Sequence, residues 1–251
     1  MRTIGIMAAM HGEISALLQK MGSVRVTRIG MRDYHQGVLH GWPCVVVLAR
    51  LGKVAAAATA VTLIREFDVQ QVFFAGLAGG ISQNAGIGDV VVGTTLLQYD
   101  LDASPLFPRH EIPLLALSYI QADPDLSGLL NQAAEDYFAF DWERDISAET
   151  REAFQLMAPE VHQGLIASGD QFVSSSSAAQ ALREMLPDVL CVEMEGASVA
   201  QICYEYGTPF AILRTVSDRA DDHAIHDFNR FLTHVASHYS AGILERTIKM
   251  L

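Results

Sequence analysis

Acidic side chains at the ends of apolar runs are the residues of this chain best suited to chemistry. In the stretch 189–222, VLCVEMEGASVAQICYEYGTPFAILRTVSDRADD, Glu193, Met194 and Glu195 interrupt the sequence where the apolar run 189–192 stops. A second run, 210–216, is apolar except for Arg214 and Thr215 and leads into Ser217 and Asp218. Both runs have the pattern of buried strands. Between them Val199, Ile202, Cys203 and Tyr206 recur at helical spacing, Gly207 stands where a left-handed C-cap is expected, and Pro209 forbids continuation. The unit reads strand–helix–strand with acids at the carboxyl ends of both strands, the edge at which open α/β sheets bind ligands. A carboxylate there can take or give a proton; it can equally be a solvated turn residue. Glu13 carries the same ambiguity. Leu17, Leu18 and Met21 place it in the first turn of an amphipathic helix, where the helix dipole alone favours an acid.

The elements that must position these acids follow from periodicity. Residues 3–8 read as a buried strand, 24–38 as a hairpin region, and 42–49 as a strand followed by an alanine-rich helix to about residue 66. Residues 72–75 read as a strand ending in the glycine-rich segment Gly76-Leu77-Ala78-Gly79-Gly80, whose glycines either let backbone approach a ligand closely or simply make a turn. That segment is not GxGxxG and no basic residue follows it, so a Rossmann or P-loop reading fails. Residues 88–94 predict a strand, and YDLDASPLFPRHEIP after it a long ordered loop. Asp123-Pro124 is a helix start, an N-cap followed by proline at the first helical position. Residues 141–160 predict a surface excursion with one helix, and 161–168 a strand. The serine run 174–177 reads as a linker or cap before a helix ending near Pro187. One C-terminal helix is expected over 227–248. With no internal repeat and no linker, residues 1–251 read as one domain.

Composition narrows the function classes. Half of the 251 residues are hydrophobic and 18% are charged, which marks a globular chain. The formal net charge is −12 with no basic block, so a nucleic-acid partner is excluded, because phosphate neutralisation needs clustered Lys and Arg. Cys44, Cys191 and Cys203 lie far apart inside apolar runs, as reduced thiols of a cytoplasmic protein would, and show no zinc spacing. No stretch approaches the ~20 apolar residues of a membrane span, and the N-terminus lacks a signal-peptide pattern.

Taken in order, IGIMAAMHGEI, LGKVAAA, FAGLAGGI, GDVVVG, SGDQFV, VEMEGASVAQIC, LRTVSD and FNRFL resemble the nucleoside phosphorylase/hydrolase superfamily. Within it they are most similar to the bacterial 5′-methylthioadenosine/S-adenosylhomocysteine nucleosidases. The resemblance covers nearly the whole chain and is weakest over 141–160, which is longer here. It implies an α/β fold, a central mixed and partly barrel-like sheet surrounded by helices, in a homodimer. It also implies hydrolysis of an N-glycosidic bond in a small-molecule nucleoside, with no metal or cofactor. By the same resemblance Glu13 activates water, Asp218 protonates the leaving purine, and Arg214 is a further candidate catalytic residue. Glu195 matches the ribose-hydroxyl acceptor and Met194 packs beneath the sugar. Phe172 and Val173 match the adenine site, Gly79 lies beside the ribose, Ser217 is a candidate substrate contact, and Leu51 and Phe228 line the 5′-substituent pocket.

The chemistry suits these residue types. Positive charge develops on the sugar as the base departs, so a carboxylate near the sugar and a protonated acid near the base both help. Two departures from the family pattern stand out. Leu77 replaces the hydroxyl residue of the family's glycine turn, and Arg50 is an unusual cation beside LGK. A phosphorylase of the same fold, with Arg50 and Arg214 as phosphate ligands, is one alternative; a futalosine-type nucleosidase is another. A nucleoside-binding protein without turnover is a third, favoured by Leu77 and opposed by retention of Glu13, Glu195 and Asp218.

Overall fold

A computed structural model describes residues 2–251. In chain order the elements are β1 (Ile4–Ala8), α1 (His11–Lys20), β2 (Gly22–Ile29), β3 (Arg32–Leu39), β4 (Trp42–Leu48), α2 (Lys53–Glu66) and β5 (Gln71–Gly80). Next come β6 (Val90–Gln98), β7 (Tyr119–Gln121), α3 (Pro124–Phe140), α4 (Trp142–Asp145), α5 (Ala148–Ala153) and β8 (Val161–Ser168). The chain ends with α6 (Ser176–Met185), β9 (Val189–Glu193), α7 (Gly196–Tyr206), β10 (Phe210–Asp218), α8 (Ala224–His234) and α9 (Ala236–Met250).

The strands form one mixed sheet in the order β10-β6-β8-β9-β5-β1-β4-β3-β2, with β7 on β6. Because β10 also pairs with β5, the strands β10, β6, β8, β9 and β5 close into a barrel, and β1 to β4 extend from it. β5 is the hinge of this arrangement: it runs parallel to β1 and β10, and its last two residues meet β9 antiparallel. Helices pack on both faces, as the apolar runs require. Along β1, Ile4, Ile6 and Ala8 join a core with Leu17 of α1, Leu130 of α3 and Ile243 of α9. Met7 points the other way, into a core with Ala56 and Ala60 of α2 and Val199 and Cys203 of α7. That alternation is the period of a strand, and full burial of a side chain the size of Ile4, Ile6 or Met7 stabilises the fold by about 1.5–3 kcal/mol.

Local punctuation works as its residue types dictate. Asp123 accepts from the Leu126 N–H at 2.9 Å, Ser175 accepts from the Ala178 N–H at 3.3 Å, and Gly207 ends α7 at φ +64°.

Three expectations are corrected. The glycines 76–80 are not a turn: β5 continues through them to Gly80, because two other elements approach its backbone too closely for side chains. The excursion over 141–160 holds two short helices, α4 and α5, with Trp142 buried. The single C-terminal helix is broken at Val235, whose ψ of −45° at φ −125° leaves the helical region. No Pro or Gly marks that break; α9 packs against α1 and α3, while α8 lies against β10 and β5.

Candidate active site

The carboxyl ends of β1, β5, β9 and β10 surround a cavity of about 310 Å³, a volume in the range of small-molecule sites. Glu13, Glu195 and Asp218 line it although they are only 2%, 4% and 2% exposed. Residues separated by some 200 positions of sequence thus share one hollow, and each is held by neutral donors.

Glu13 is reached by both readings made of it. Its Oε2 accepts from the Met10 N–H at 2.7 Å, half of a capping box for α1. Its Oε1 accepts from the Leu77 N–H of β5 at 3.2 Å, which turns the carboxylate from a surface cap into part of the cavity floor. Burial raises its pKa, against the pull of the Met10 N–H, the Arg214 charge and the Leu77 N–H. Gly76 makes room for this: a Cβ there would stand 3.2 Å from both Glu13 Oε1 and Arg214 Nη1.

Asp218 sits at the end of β10, just past a bulge between Val216 and Asp218 that re-aims the strand. Ser217 Oγ donates to its Oδ2 and the Ala220 N–H to its Oδ1, each at 2.8 Å. Burial outweighs both donors and pushes the carboxyl up to about 6. Gly79 allows the approach, since a Cβ there would lie 3.0 Å from Asp218 Oδ1. Glu195 precedes α7, and its Oε1 accepts from the Gly52 N–H at 2.8 Å. Burial, and then the neighbouring Glu193 charge, push its pKa up.

Apart from Gln171 and Glu193, the rest of the lining is apolar. Phe172, Val173, Val192 and Met194 form walls, and Met10, Leu51 and Phe228 stand with them. Phe172 and Phe228 meet edge to face with ring centroids 5.7 Å apart. Leu77 also lines the cavity, offering a side chain without a hydrogen bond.

Of the residues singled out in the sequence, Glu13, Leu51, Gly79, Phe172, Val173, Met194, Glu195, Asp218 and Phe228 all line this cavity. Arg214 and Ser217 do not; both are buried behind it, Ser217 against Asp218. Arg214 is 1% exposed, its Nη2 lies 2.6 Å from Glu193 Oε2, and its guanidinium stacks 4.2 Å over the Phe74 ring. Its Nη1 is spent on the Leu213 and Phe74 carbonyls. Such a pair is required physically, because a buried lone cation is too costly. Arg50 is exposed, donates to the Met31 carbonyl at 2.6 Å, and is not part of the lining.

Glu193 was not assigned from the sequence. It receives both Nε and Nη2 of Arg214, the N–H groups of Glu195 and Gly196, and Ser168 Oγ. The signal for it is the lone arginine in the apolar run 210–216, which needs an acid partner on a neighbouring buried strand. Ala9, Met10, Ala78, Gln171 and Val192 also line the cavity; nothing but three-dimensional proximity marks them.

The family described as the Phosphorylase superfamily matches residues 3–249. An aminodeoxyfutalosine nucleosidase of Helicobacter pylori (strain J99) is 34% identical over 253 residues, covering 100% of both chains. A 5′-methylthioadenosine/S-adenosylhomocysteine nucleosidase of Maridesulfovibrio salexigens is 33% identical over 220 residues, 87% of each chain. Among solved structures, the 5′-methylthioadenosine/S-adenosylhomocysteine nucleosidase of Neisseria meningitidis in complex with methylthio-immucillin-A superposes with a TM-score of 0.87. It is 33% identical, with 100% of both chains covered.

Proposed function

This chain belongs to the phosphorylase superfamily, and on that footing we propose that it is an adenine nucleosidase. It hydrolyses the N-glycosidic bond of 5′-methylthioadenosine, S-adenosylhomocysteine or a related adenine nucleoside, releasing adenine and a 5-substituted ribose. The observation that carries this reading is a cavity lined, among the described residues, by four buried acids, Glu13, Glu193, Glu195 and Asp218, and by no Lys or Arg side chain. A phosphate dianion in a partly buried site needs cations; Arg50 and Arg214, the two candidates for that task, are both outside the lining. Water needs only a base.

In this reaction the C1′–N bond breaks with its electron pair going to the purine, which takes a proton from Asp218. Raised to about 6, Asp218 keeps a usable protonated fraction near neutrality. Glu13 polarises the water that attacks C1′, and its carboxylate also stabilises the positive charge on the sugar. Glu195 accepts from a ribose hydroxyl, Met194 packs beneath the sugar, and Gly79 lies beside it. Phe172 stacks on the base and Val173 bonds it through backbone, while Leu51 and Phe228 face the 5′-substituent. Ser217 acts on the substrate only through Asp218, and Arg214 acts through Glu193 and its field at Glu13.

A homodimer working in the cytoplasm, in methionine salvage, fits this activity; exposed Val54, Leu106 and Leu114 are apolar side chains that a second copy could cover. Among the described residues no helix is long and apolar enough to cross a membrane. The full-length match to an aminodeoxyfutalosine nucleosidase favours a second reading, in which the 5′-substituent is larger. Adenine release from methylthioadenosine, S-adenosylhomocysteine and aminodeoxyfutalosine, compared by kcat/KM, separates the two; no adenine from any of them overturns both.

A further inference from the structure

Three residues outside the cavity close a ring of hydrogen bonds at its rim. Lys53 Nζ donates to Asp100 Oδ1 at 2.6 Å, and the other oxygen of Asp100 accepts from the Asp170 N–H at 2.8 Å. Asp170 Oδ1 accepts from the backbone N–H of Lys53 at 2.7 Å, which returns the ring to its start. The ring joins the first turn of α2, the loop after β6 and the segment after β8 that carries Phe172. No residue of the ring lines the cavity.

The consequence falls on the residue before Lys53. Gly52 has φ +93°, a conformation closed to most side chains. A Cβ there would stand 3.1 Å from Asp170 Oδ1. Held in that conformation, its N–H points at Glu195 Oε1, 2.8 Å away. One carboxylate oxygen of Glu195 is thereby occupied from the protein side, and an N–H donor favours its ionised, accepting form against the burial that opposes it.

We propose that Lys53, with Asp100 and Asp170, is a positioning residue that sets the orientation and charge of Glu195 toward the ribose hydroxyls. The inference rests on the reading above that Glu195 receives such a hydroxyl. Lys53 touches no substrate; it acts through Gly52. Loss of its ammonium leaves Asp100 unpaired, loosens the first turn of α2, and lets the Gly52 N–H leave Glu195.

The test measures kcat/KM of wild type, Lys53→Met, Lys53→Arg and Asp100→Asn on methylthioadenosine and on its 2′- and 3′-deoxy counterparts. Lys53→Met and Asp100→Asn each lose about 10-fold on the ribonucleoside, a modest share of what misplacing a reacting group can cost. On the deoxy analogue that lacks the hydroxyl read by Glu195, the same variants stay within about 2-fold of wild type, and Lys53→Arg recovers most of the loss. An equal loss on ribo- and deoxy-substrates, or no loss on either, overturns the positioning role while leaving the role of Glu195 intact. Wild type that fails to discriminate ribo- from deoxy-substrates overturns the role of Glu195 itself, and the clasp with it. Should Lys53→Met not fold, the isosteric Asp100→Asn carries the same comparison.

Discussion

Asp218 and Glu245 are acids of the same chain, and the protein shifts them in opposite directions. Glu245, on α9, is partly buried, which pulls its pKa up; Lys20 and Lys249, at 2.6 Å and 2.8 Å, outweigh that and hold it at about 2. His40 adds a third contact at 2.9 Å. Asp218 has only neutral donors, Ser217 Oγ and the Ala220 N–H, and burial pushes it up to about 6. The lesson concerns what surrounds a carboxyl group more than how many bonds it makes. Each accepts from more than one donor, yet only the one without a cation can carry a proton near neutral pH. The cavity repeats the device at Glu13 and Glu195, both raised by burial. Arg214, whose charge is felt at both Glu13 and Glu195, is turned toward Glu193.

Replacing Asp218 breaks this comparison most severely. Asp218→Asn is expected to lower turnover by about 10²–10⁴-fold, since an amide delivers no proton, while nucleoside binding stays largely intact. In wild type kcat/KM should fall as pH rises above about 6, where the acid loses its proton. Adenine release at near wild-type rate in the variant sinks the assignment.

The same substitution has a second, smaller effect of opposite sign. The folded pKa of about 6 lies above the ordinary 3.8, so between those values the unfolded chain has lost a proton that the folded chain keeps. Stability therefore falls as pH rises through that window and stays lowered above it. Asp218→Asn should be more stable than wild type at pH 7, by about 2 kcal/mol, and equal to it near pH 3. Denaturant titrations at the two pH values check this, and a variant less stable at pH 7 contradicts it.

Leu77 sharpens the contrast within the cavity. Its side chain offers no hydrogen bond to the attacking water of the proposed mechanism, so Leu77→Ser should raise turnover, by up to about 10-fold. An unchanged or lower rate removes that view of Leu77 without touching Asp218.

Glu245 supplies the smallest effect. Its folded pKa lies below the ordinary 4.5, so its contribution is present above pH 4.5 and lost as pH falls toward 2. Being partly exposed and screened, it is worth under about 1 kcal/mol. Glu245→Gln should cost that much at pH 7 and nothing near pH 2, measured by thermal unfolding. A larger loss at low pH than at neutral pH contradicts the sign.

How far the sequence reached follows the same division between local and distant causes. The strand–helix–strand unit around β9, α7 and β10 was legible because apolar runs, helical spacing and Gly207 are local signals. So was the Asp123-Pro124 start of α3. Glu13 was ambiguous from its own neighbourhood, since capping α1 and facing the cavity are both realised. The resemblance of long motifs, and not spacing, joined it to Glu195 and Asp218. Three things were illegible for a common reason. The glycines of β5 serve close approach by Arg214, Glu13 and Asp218, a demand made by other elements. Arg214 turns from the cavity because Glu193 holds it. The break between α8 and α9 answers to the packing of α9 on α1 and α3, with no local breaker to announce it.

The proposed mechanism turns on water, activated beside a cavity wall that carries no Lys or Arg among the described residues, as the group that takes the sugar. Its most direct test is the mass of the sugar product formed from methylthioadenosine in phosphate buffer and in a phosphate-free buffer. The free 5-methylthioribose, formed with adenine at the same rate in both buffers, is the predicted result. Methylthioribose 1-phosphate as the main product, with turnover that stalls when phosphate is withheld, would contradict it.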